Sequence, residues 1–182
     1  MQKIAKQNRF IWSHILDLKS PLVELFTGEL RGVYWAENHL VRTLLKMKNA
    51  STWSELHLVL DDLLDRTKKH ATKLEHVFEL MDEIINARRC DAMAGLSVEA
   101  DEIIECTDEG SGTRDLGIIL VCEKILQNEI ATYMGLIKLA YIIGREDVAE
   151  LLGEILKDQS QCNELLCTLE EPISQKASEE NV

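Results

Sequence analysis

Apolar side chains recur along most of the chain at spacings of three, four or seven residues, which is the period of one face of an α-helix. Four long stripes of this kind occupy residues 22–44, 56–81, 118–139 and 148–165. No run of strictly alternating apolar and polar residues competes with them. The pattern therefore predicts four long amphipathic helices and no β-strands.

Residues at the ends of these stripes indicate where the helices begin. Ser20 followed by Pro21 suits a helix N-cap and first position, and Thr52 with Glu55 predicts a capping box before the second helix. A shorter amphipathic piece at 98–104 predicts an extra helix between the second and third long ones. Long helices joined by short connections are typical of an antiparallel four-helix bundle, so we predict an all-α fold of that kind.

The remaining segments divide the chain into three parts. Residues 1–19 form an N-terminal extension whose weak apolar stripe predicts a further short helix. Residues 20–171 form the bundle. Residues 172–182 begin with a proline and are polar, so we expect this C-terminal tail to fray.

Composition narrows the function classes. The 182 residues include 32 Asp and Glu against 20 Lys and Arg, a net charge of −12, which argues against nucleic-acid binding. No stretch reaches the ~18 consecutive apolar residues of a membrane span, and the N-terminus does not resemble a secretory signal. The cysteines number five, an odd total, and none forms a Cys-x-x-Cys pair. We therefore expect reduced thiols and a cytoplasmic protein.

Polar residues interrupt the core-facing stripe of every long helix. Glu37 lies on the first stripe, Thr67 and His70 on the second, Glu129 on the third and Gln159 on the fourth. A buried carboxylate requires a cation, a hydrogen-bond donor or a metal ion. Carboxylates and histidines that converge from four helices are the ligands of iron and manganese pairs in bundle cores.

Two interpretations of these residues remain open. Glu37, His70 and Glu129 could be metal ligands, with Asp65 or Asp158 as weaker candidates that swing in. Alternatively, the seam residues could form a hydrogen-bonded network without metal. The second interpretation is favoured because no Glu-x-x-His pair is present and because three good ligands are too few for two metal ions.

Several local patterns resemble one known family. They occur in order along residues 21–170 and include Tyr34-x-Ala36-Glu37, Lys73-Leu74-Glu75-x-Val77-Phe78-Glu79, Cys90-x-Ala92-Met93-x-Gly95-Leu96, Glu99-Ala100-x-Glu102-x-Ile104, Arg114-Asp115, Glu129-Ile130-Ala131-x-Tyr133 and Leu151-Leu152-x-Glu154-x-Leu156. Together they resemble the YciE/YciF-type ferritin-like proteins, a bacterial stress-associated family. The resemblance implies a ferritin-like bundle, a carboxylate-rich di-metal centre and, usually, a dimer.

The chain departs from this family at the implied metal centre. Leu126 and Gln127 stand where relatives carry Glu and His, and Arg66 stands where an acidic residue is usual. Gln159 and Asn163 replace acidic residues of the last helix. Neutral amides are poor ligands for trivalent iron, and Arg66 could neutralise a remaining carboxylate. The resemblance therefore implies a degraded site.

These observations lead to one predicted function and one alternative. We predict a non-catalytic stress-associated scaffold or interaction protein with no catalytic residues, no cofactor, and no membrane or nucleic-acid partner, acting as a homodimer. Glu37, His70, Glu129, Gln159 and Arg66 would then form a polar network in place of metal. The alternative is an iron or manganese carboxylate protein with redox or metal-storage activity.

Overall fold

The computed structural model of the protein describes residues 20–180, which form five α-helices and no strand over that range. They are α1 (Pro21–Ala50), α2 (Ser54–Leu80), α3 (Asp91–Cys106), α4 (Gly112–Ile142) and α5 (Glu146–Glu179). The predicted all-α bundle with an extra helix between the second and third long helices is confirmed. The helix predicted within residues 1–19 lies outside the described residues.

The four long helices pair into two hairpins. Three residues join α1 to α2 and another three join α4 to α5, so each pair runs antiparallel. The most extensive helix–helix contact is between α4 and α5, followed by that between α1 and α2. The hairpins meet where α2 packs on α5 and α1 packs on α4, while α3 lies against α1 and α4. None of the helices in the described range is long and apolar enough to cross a membrane.

The start of α1 agrees with the sequence, and the start of α2 does not. Ser20 Oγ accepts a hydrogen bond from the Val23 backbone N–H at 3.2 Å, as expected of an N-cap. The predicted capping box at Thr52 is wrong, because Trp53 is the N-cap of α2 and makes no side-chain cap. Thr52 instead donates its N–H and its hydroxyl to the buried Asp115 carboxylate, each at 2.8 Å. A charged acceptor binds these donors more strongly than a neutral one would.

Two helices extend further than their stripes predicted. The short helix α3 spans 16 residues rather than seven. The expectation that the chain frays from Pro172 is wrong up to Glu179, because α5 continues through that proline. Ile173 and Ala177 are buried beyond it, and Glu180 Oε2 accepts the Gly112 backbone N–H at 2.5 Å. Burial and this bond offset the hydrogen bond that proline removes from the helix.

The apolar core consists of two clusters at opposite ends of the bundle. One contains the second half of α1 and the first half of α2, and the other contains the remaining halves. The boundary between the two clusters falls between residues 126 and 133 in α4. In α5 it falls between residues 155 and 162. The polar residues predicted on the stripes lie at this boundary: Thr67, His70, Glu129 and Gln159 fall between the two clusters, and Glu37 directly follows Ala36, the first α1 residue of one cluster. We call these five residues the polar layer.

Candidate polar site in the bundle core

The polar layer lies in the interior of the bundle. Glu37, Thr67, His70 and Gln159 are fully buried, and Glu129 is 2% exposed. Each long helix contributes because a polar residue falls at a position of its apolar stripe that turns toward the bundle axis. The four helices thus bring together two carboxyl groups, an imidazole, a hydroxyl and an amide.

Each buried carboxyl group accepts one short hydrogen bond. The Tyr133 hydroxyl donates to Glu37 Oε1 at 2.5 Å. The Gln159 amide Nε2 donates to Glu129 Oε2 at 2.6 Å. Both bonds join different helices, so they fix the side chains across the bundle as well as satisfying half of each carboxyl group.

His70 connects the layer to charged residues at the surface. Its Nδ1 lies 3.6 Å from Glu37 Oε1, and its Nε2 lies 3.3 Å from Asp158 Oδ2. The Asp158 side chain is 34% exposed. Its carboxylate also lies 3.6 Å from Arg66 Nη1 and 3.8 Å from Lys73 Nζ. Asp158 is therefore held between the buried imidazole and two surface cations.

One polar atom of every layer residue has no hydrogen-bond partner in the described part of the chain. These atoms are Glu37 Oε2, Thr67 Oγ1, His70 Nδ1, Glu129 Oε1 and Gln159 Oε1. Buried polar atoms are nearly always paired in folded proteins. Their concentration in one layer indicates a site with spare hydrogen-bonding capacity.

Burial disturbs the ionisation of the layer. Desolvation, reinforced by the charge of Glu37, raises the pKa of Glu129 well above its ordinary value of 4.5. Desolvation likewise raises the pKa of Tyr133, and the nearby Glu37 and Glu129 charges add to it. Two carboxyl groups that share a buried site resist simultaneous ionisation. Glu129 therefore retains its proton to a higher pH than an ordinary glutamate does.

The structure brings together most of the candidate ligands and separates one. Glu37, His70 and Glu129 all lie in the polar layer, and Asp158 contacts His70 from its edge. Asp65 does not join them, because its side chain is 63% exposed and pairs with Lys68 at 3.2 Å.

Arg66 lies beside the layer rather than within it. Its Nε donates to Asp62 at 2.7 Å, and its Nη1 is 3.6 Å from Asp158. It therefore neutralises surface carboxylates and leaves Glu37 and Glu129 to the neutral donors Tyr133 and Gln159.

Tyr133 is the functional residue that sequence reasoning missed. It is fully buried and bonds Glu37, yet in the sequence it is one more apolar ring on a core stripe. Its position four residues after Glu129 is a usable signal, because residues i and i+4 share one face of a helix.

Comparison with known proteins now identifies the family. The family model described as "Domain of unknown function (DUF892)" matches residues 21–179, nearly the whole described range. The chain belongs to the DUF892 family. This DUF892 family member is 32% identical over 137 residues to Protein YciF of Escherichia coli strain K12. The alignment covers 75% of this chain and 82% of YciF.

Two solved structures with related sequences have the same fold. The crystal structure of the E. coli stress protein YciF superposes with a TM-score of 0.81 at 30% identity, covering 87% of this chain and 99% of that one. YcfI from Rhodopseudomonas palustris gives a TM-score of 0.78 at 29% identity, with 85% and 97% covered. The YciF-type resemblance drawn from local patterns is confirmed.

The polar layer holds two carboxyl groups, fewer than the di-metal centre that the ferritin-like resemblance implies. Within residues 20–180, no three His, Cys, Asp or Glu side chains converge so that they could hold a metal ion. The amide Nε2 of Gln159 is directed at Glu129, and the Tyr133 hydroxyl is directed at Glu37. Each donor occupies one oxygen of its carboxyl group and leaves the other, Glu37 Oε2 or Glu129 Oε1, without a partner in the described residues.

Proposed function

We propose that this DUF892 family member is a non-catalytic, stress-associated scaffold or interaction protein in which a polar network has replaced a di-metal centre. The observation that carries the proposal is the pair of short bonds from Tyr133 to Glu37 and from Gln159 to Glu129. Each neutral donor stabilises a buried carboxyl group in the manner expected of a network without metal.

The charge balance of the layer supports the same conclusion. A pair of metal ions would require several anionic ligands, but α5 contributes the neutral Gln159 at its layer position. Nearby Asp158 is engaged with Arg66, His70 and Lys73 at the edge. The raised pKa of Glu129 further favours a neutral carboxyl group.

The stress association comes from similarity. The E. coli relative is described as a stress protein, and this chain shares its fold over almost the entire length of that structure. The proposed role is therefore a structural or interaction function under stress conditions, performed by the bundle surface.

Metal analysis tests the proposal. Protein purified without chelator is expected to contain far less than one iron or manganese per chain, and added Fe²⁺ or Mn²⁺ should leave its melting temperature unchanged. A stoichiometry near one or two, lost in Glu37→Ala and Glu129→Ala but kept in the exposed-site control Glu164→Ala, would overturn it. That outcome would favour the alternative, an iron or manganese protein with redox or storage activity.

We further propose that the protein is a homodimer. Supporting this, Leu120, Met134 and Tyr141 of α4 are all exposed and fall within about 60° of one another at 100° per residue. Light scattering on the eluted protein should give twice the chain mass, and Leu120→Glu with Met134→Glu should halve it. The exposed Leu58→Glu on α2 is the matched control. A monomeric wild-type protein would contradict the proposal.

We also propose a cytoplasmic location. All five cysteines are unpaired thiols, which fits a reducing compartment. Cell fractionation checks this, and recovery in a periplasmic fraction would count against it.

A further inference from the structure

A cavity of about 500 Å³ opens beside the polar layer, between α1, the start of α3 and α4. This volume lies in the range of small-molecule sites. Its walls include apolar side chains of α1 and α3, namely Val33, Ala36 and Met93, and its inner end is formed by Glu129. The cavity therefore leads from the surface to a buried carboxyl group.

Arg88 is positioned at the mouth of this cavity by α1. Its backbone N–H donates to the Arg31 carbonyl at 3.0 Å. Its guanidinium lies over Gly28 and Gly32, where an added Cβ would be 3.5 Å and 3.8 Å from its terminal nitrogens. The two glycines thus give the guanidinium a flat surface. Its bond to Glu29 is long, at 3.4 Å, which leaves donors available.

The first turn of α3 adds further donors to the cavity wall. Residues 91–93 line the cavity, and the N-cap Cys90 makes no side-chain cap hydrogen bond. The first N–H groups of a helix have no partner within the helix and lie at the positive end of its dipole. Arg89, which pairs with Asp91 at 3.0 Å, lies on the same side.

Glu129 supplies a second and independent indication of a ligand. It is 2% exposed, and its Oε1 has no partner in the described structure, whereas its Oε2 accepts from Gln159. A buried oxygen without a partner that lines a cavity is suited to form a hydrogen bond with an entering molecule, as acceptor when ionised and as donor when it keeps its proton.

We propose that this cavity binds a small organic acid. Its carboxylate would lie between Arg88 and the first turn of α3, its apolar body would contact Val33 and Met93, and a hydroxyl, which can donate or accept, would form a hydrogen bond with Glu129 Oε1. Glu29 and Asp91 also line the cavity and pair with Arg88 and Arg89, so an entering carboxylate would compete with them for the two guanidinium groups. The site shares Glu129 with the polar layer, so it rests on the proposed absence of a metal ion there. Metal analysis tests that premise separately from ligand binding, so the failure of one proposal can be told from the failure of the other.

Binding of 4-hydroxybenzoate to the full-length protein tests the site by calorimetry. We expect saturable binding that weakens about tenfold for neutral 4-hydroxybenzamide and for Arg88→Gln, since each removes one charge-assisted interaction. Arg42→Gln, an exposed arginine of α1 outside the cavity, should bind as the wild type does. The amine 4-hydroxybenzylamine should not bind.

Cysteine labelling gives a second measurement that does not require a variant. Bound 4-hydroxybenzoate should slow iodoacetamide modification of Cys90, which lines the cavity, and leave the exposed Cys106 unaffected. Absence of saturable binding of 4-hydroxybenzoate would overturn the proposal. So would equal binding of the acid and the amine, or an unchanged affinity in Arg88→Gln.

Discussion

Burial and the neighbouring Glu37 together raise the pKa of Glu129 well above its ordinary value of 4.5. At a pH above 4.5 the Glu129 carboxyl group loses its proton in the unfolded chain but keeps it in the native state. Since stability rises with pH only where the unfolded state binds more protons, Glu129 makes the native state less stable as pH rises. This loss of stability begins near the pKa of Glu129 in the unfolded chain and ends near its raised pKa in the native state.

Glu129→Gln should remove this pH dependence. The glutamine can still accept from Gln159, so we expect the stability of the variant relative to wild type to increase as the pH rises above the ordinary glutamate pKa of 4.5, with a slope of at most ~1.4 kcal/mol per unit. Urea unfolding at four pH values measures the difference. The exposed Glu164→Gln on α5 should show no trend, and a flat difference for Glu129→Gln would contradict the prediction.

Buried thiols should be unreactive in the native state. Burial raises the pKa of Cys122 to about 12 and that of Cys162 to about 11, so hardly any thiolate forms near neutral pH. Native protein treated with a thiol reagent near pH 8 should be labelled at the exposed Cys106 and spared at these two positions. Unfolded protein should react at all five. Labelling of Cys122 before unfolding would show that the core opens.

Single residues also show how far a sequence can predict a site. The periodicity located Glu37, His70, Glu129 and Gln159 because each interrupts an apolar stripe. It could not reveal the bond from Tyr133 to Glu37, because the direction of a hydroxyl depends on a neighbouring helix. Asp65 is predicted as a weaker ligand that could swing in, but its exposed side chain pairs with Lys68 instead, a contact that the periodicity does not reveal.

At the scale of helices, a hydrogen bond and an ion pair connect the end of α5 to the start of α4. Glu180 accepts the Gly112 N–H, and Lys176 Nζ lies 3.6 Å from the buried Asp115. Asp115 in turn accepts both donors of Thr52 in the loop between α1 and α2. The sequence predicted the four helices well but not this junction, because its contacts join residues more than 60 positions apart.

Gly112 is where this junction is most sensitive. A Cβ there would lie 2.9 Å from the Ala177 backbone nitrogen and 3.0 Å from its Cα, so the backbone of α5 would have to move. We expect Gly112→Ala to destabilise the protein by about 1–3 kcal/mol. The matched control Gly153→Ala meets no neighbour within 4 Å and should stabilise α5 by about 0.5–1 kcal/mol. Denaturant unfolding of both variants decides, and equal stability of Gly112→Ala and wild type would refute the clash.

At the scale of the whole molecule, the polar layer separates two apolar clusters that all four long helices share. Any change in the layer therefore acts on both ends of the bundle. The bundle itself follows from the stripes. The network inside it does not, because whether a buried carboxyl group meets a donor or a metal depends on side-chain geometry between helices.

The Gln159→Glu variant tests whether the buried carboxyl groups of the polar layer depend on a hydrogen-bond donor. The substitution removes the donor to Glu129 and adds a third carboxyl group beside two others, so we expect a loss of about 2–4 kcal/mol without metal. Gln161→Glu, an exposed change on the same helix, should have little effect. Thermal unfolding with and without Mn²⁺ measures both. If the layer descends from a metal centre, Mn²⁺ should restore part of the lost stability in Gln159→Glu alone. Unchanged stability of Gln159→Glu without metal would show that the amide does not sustain the network.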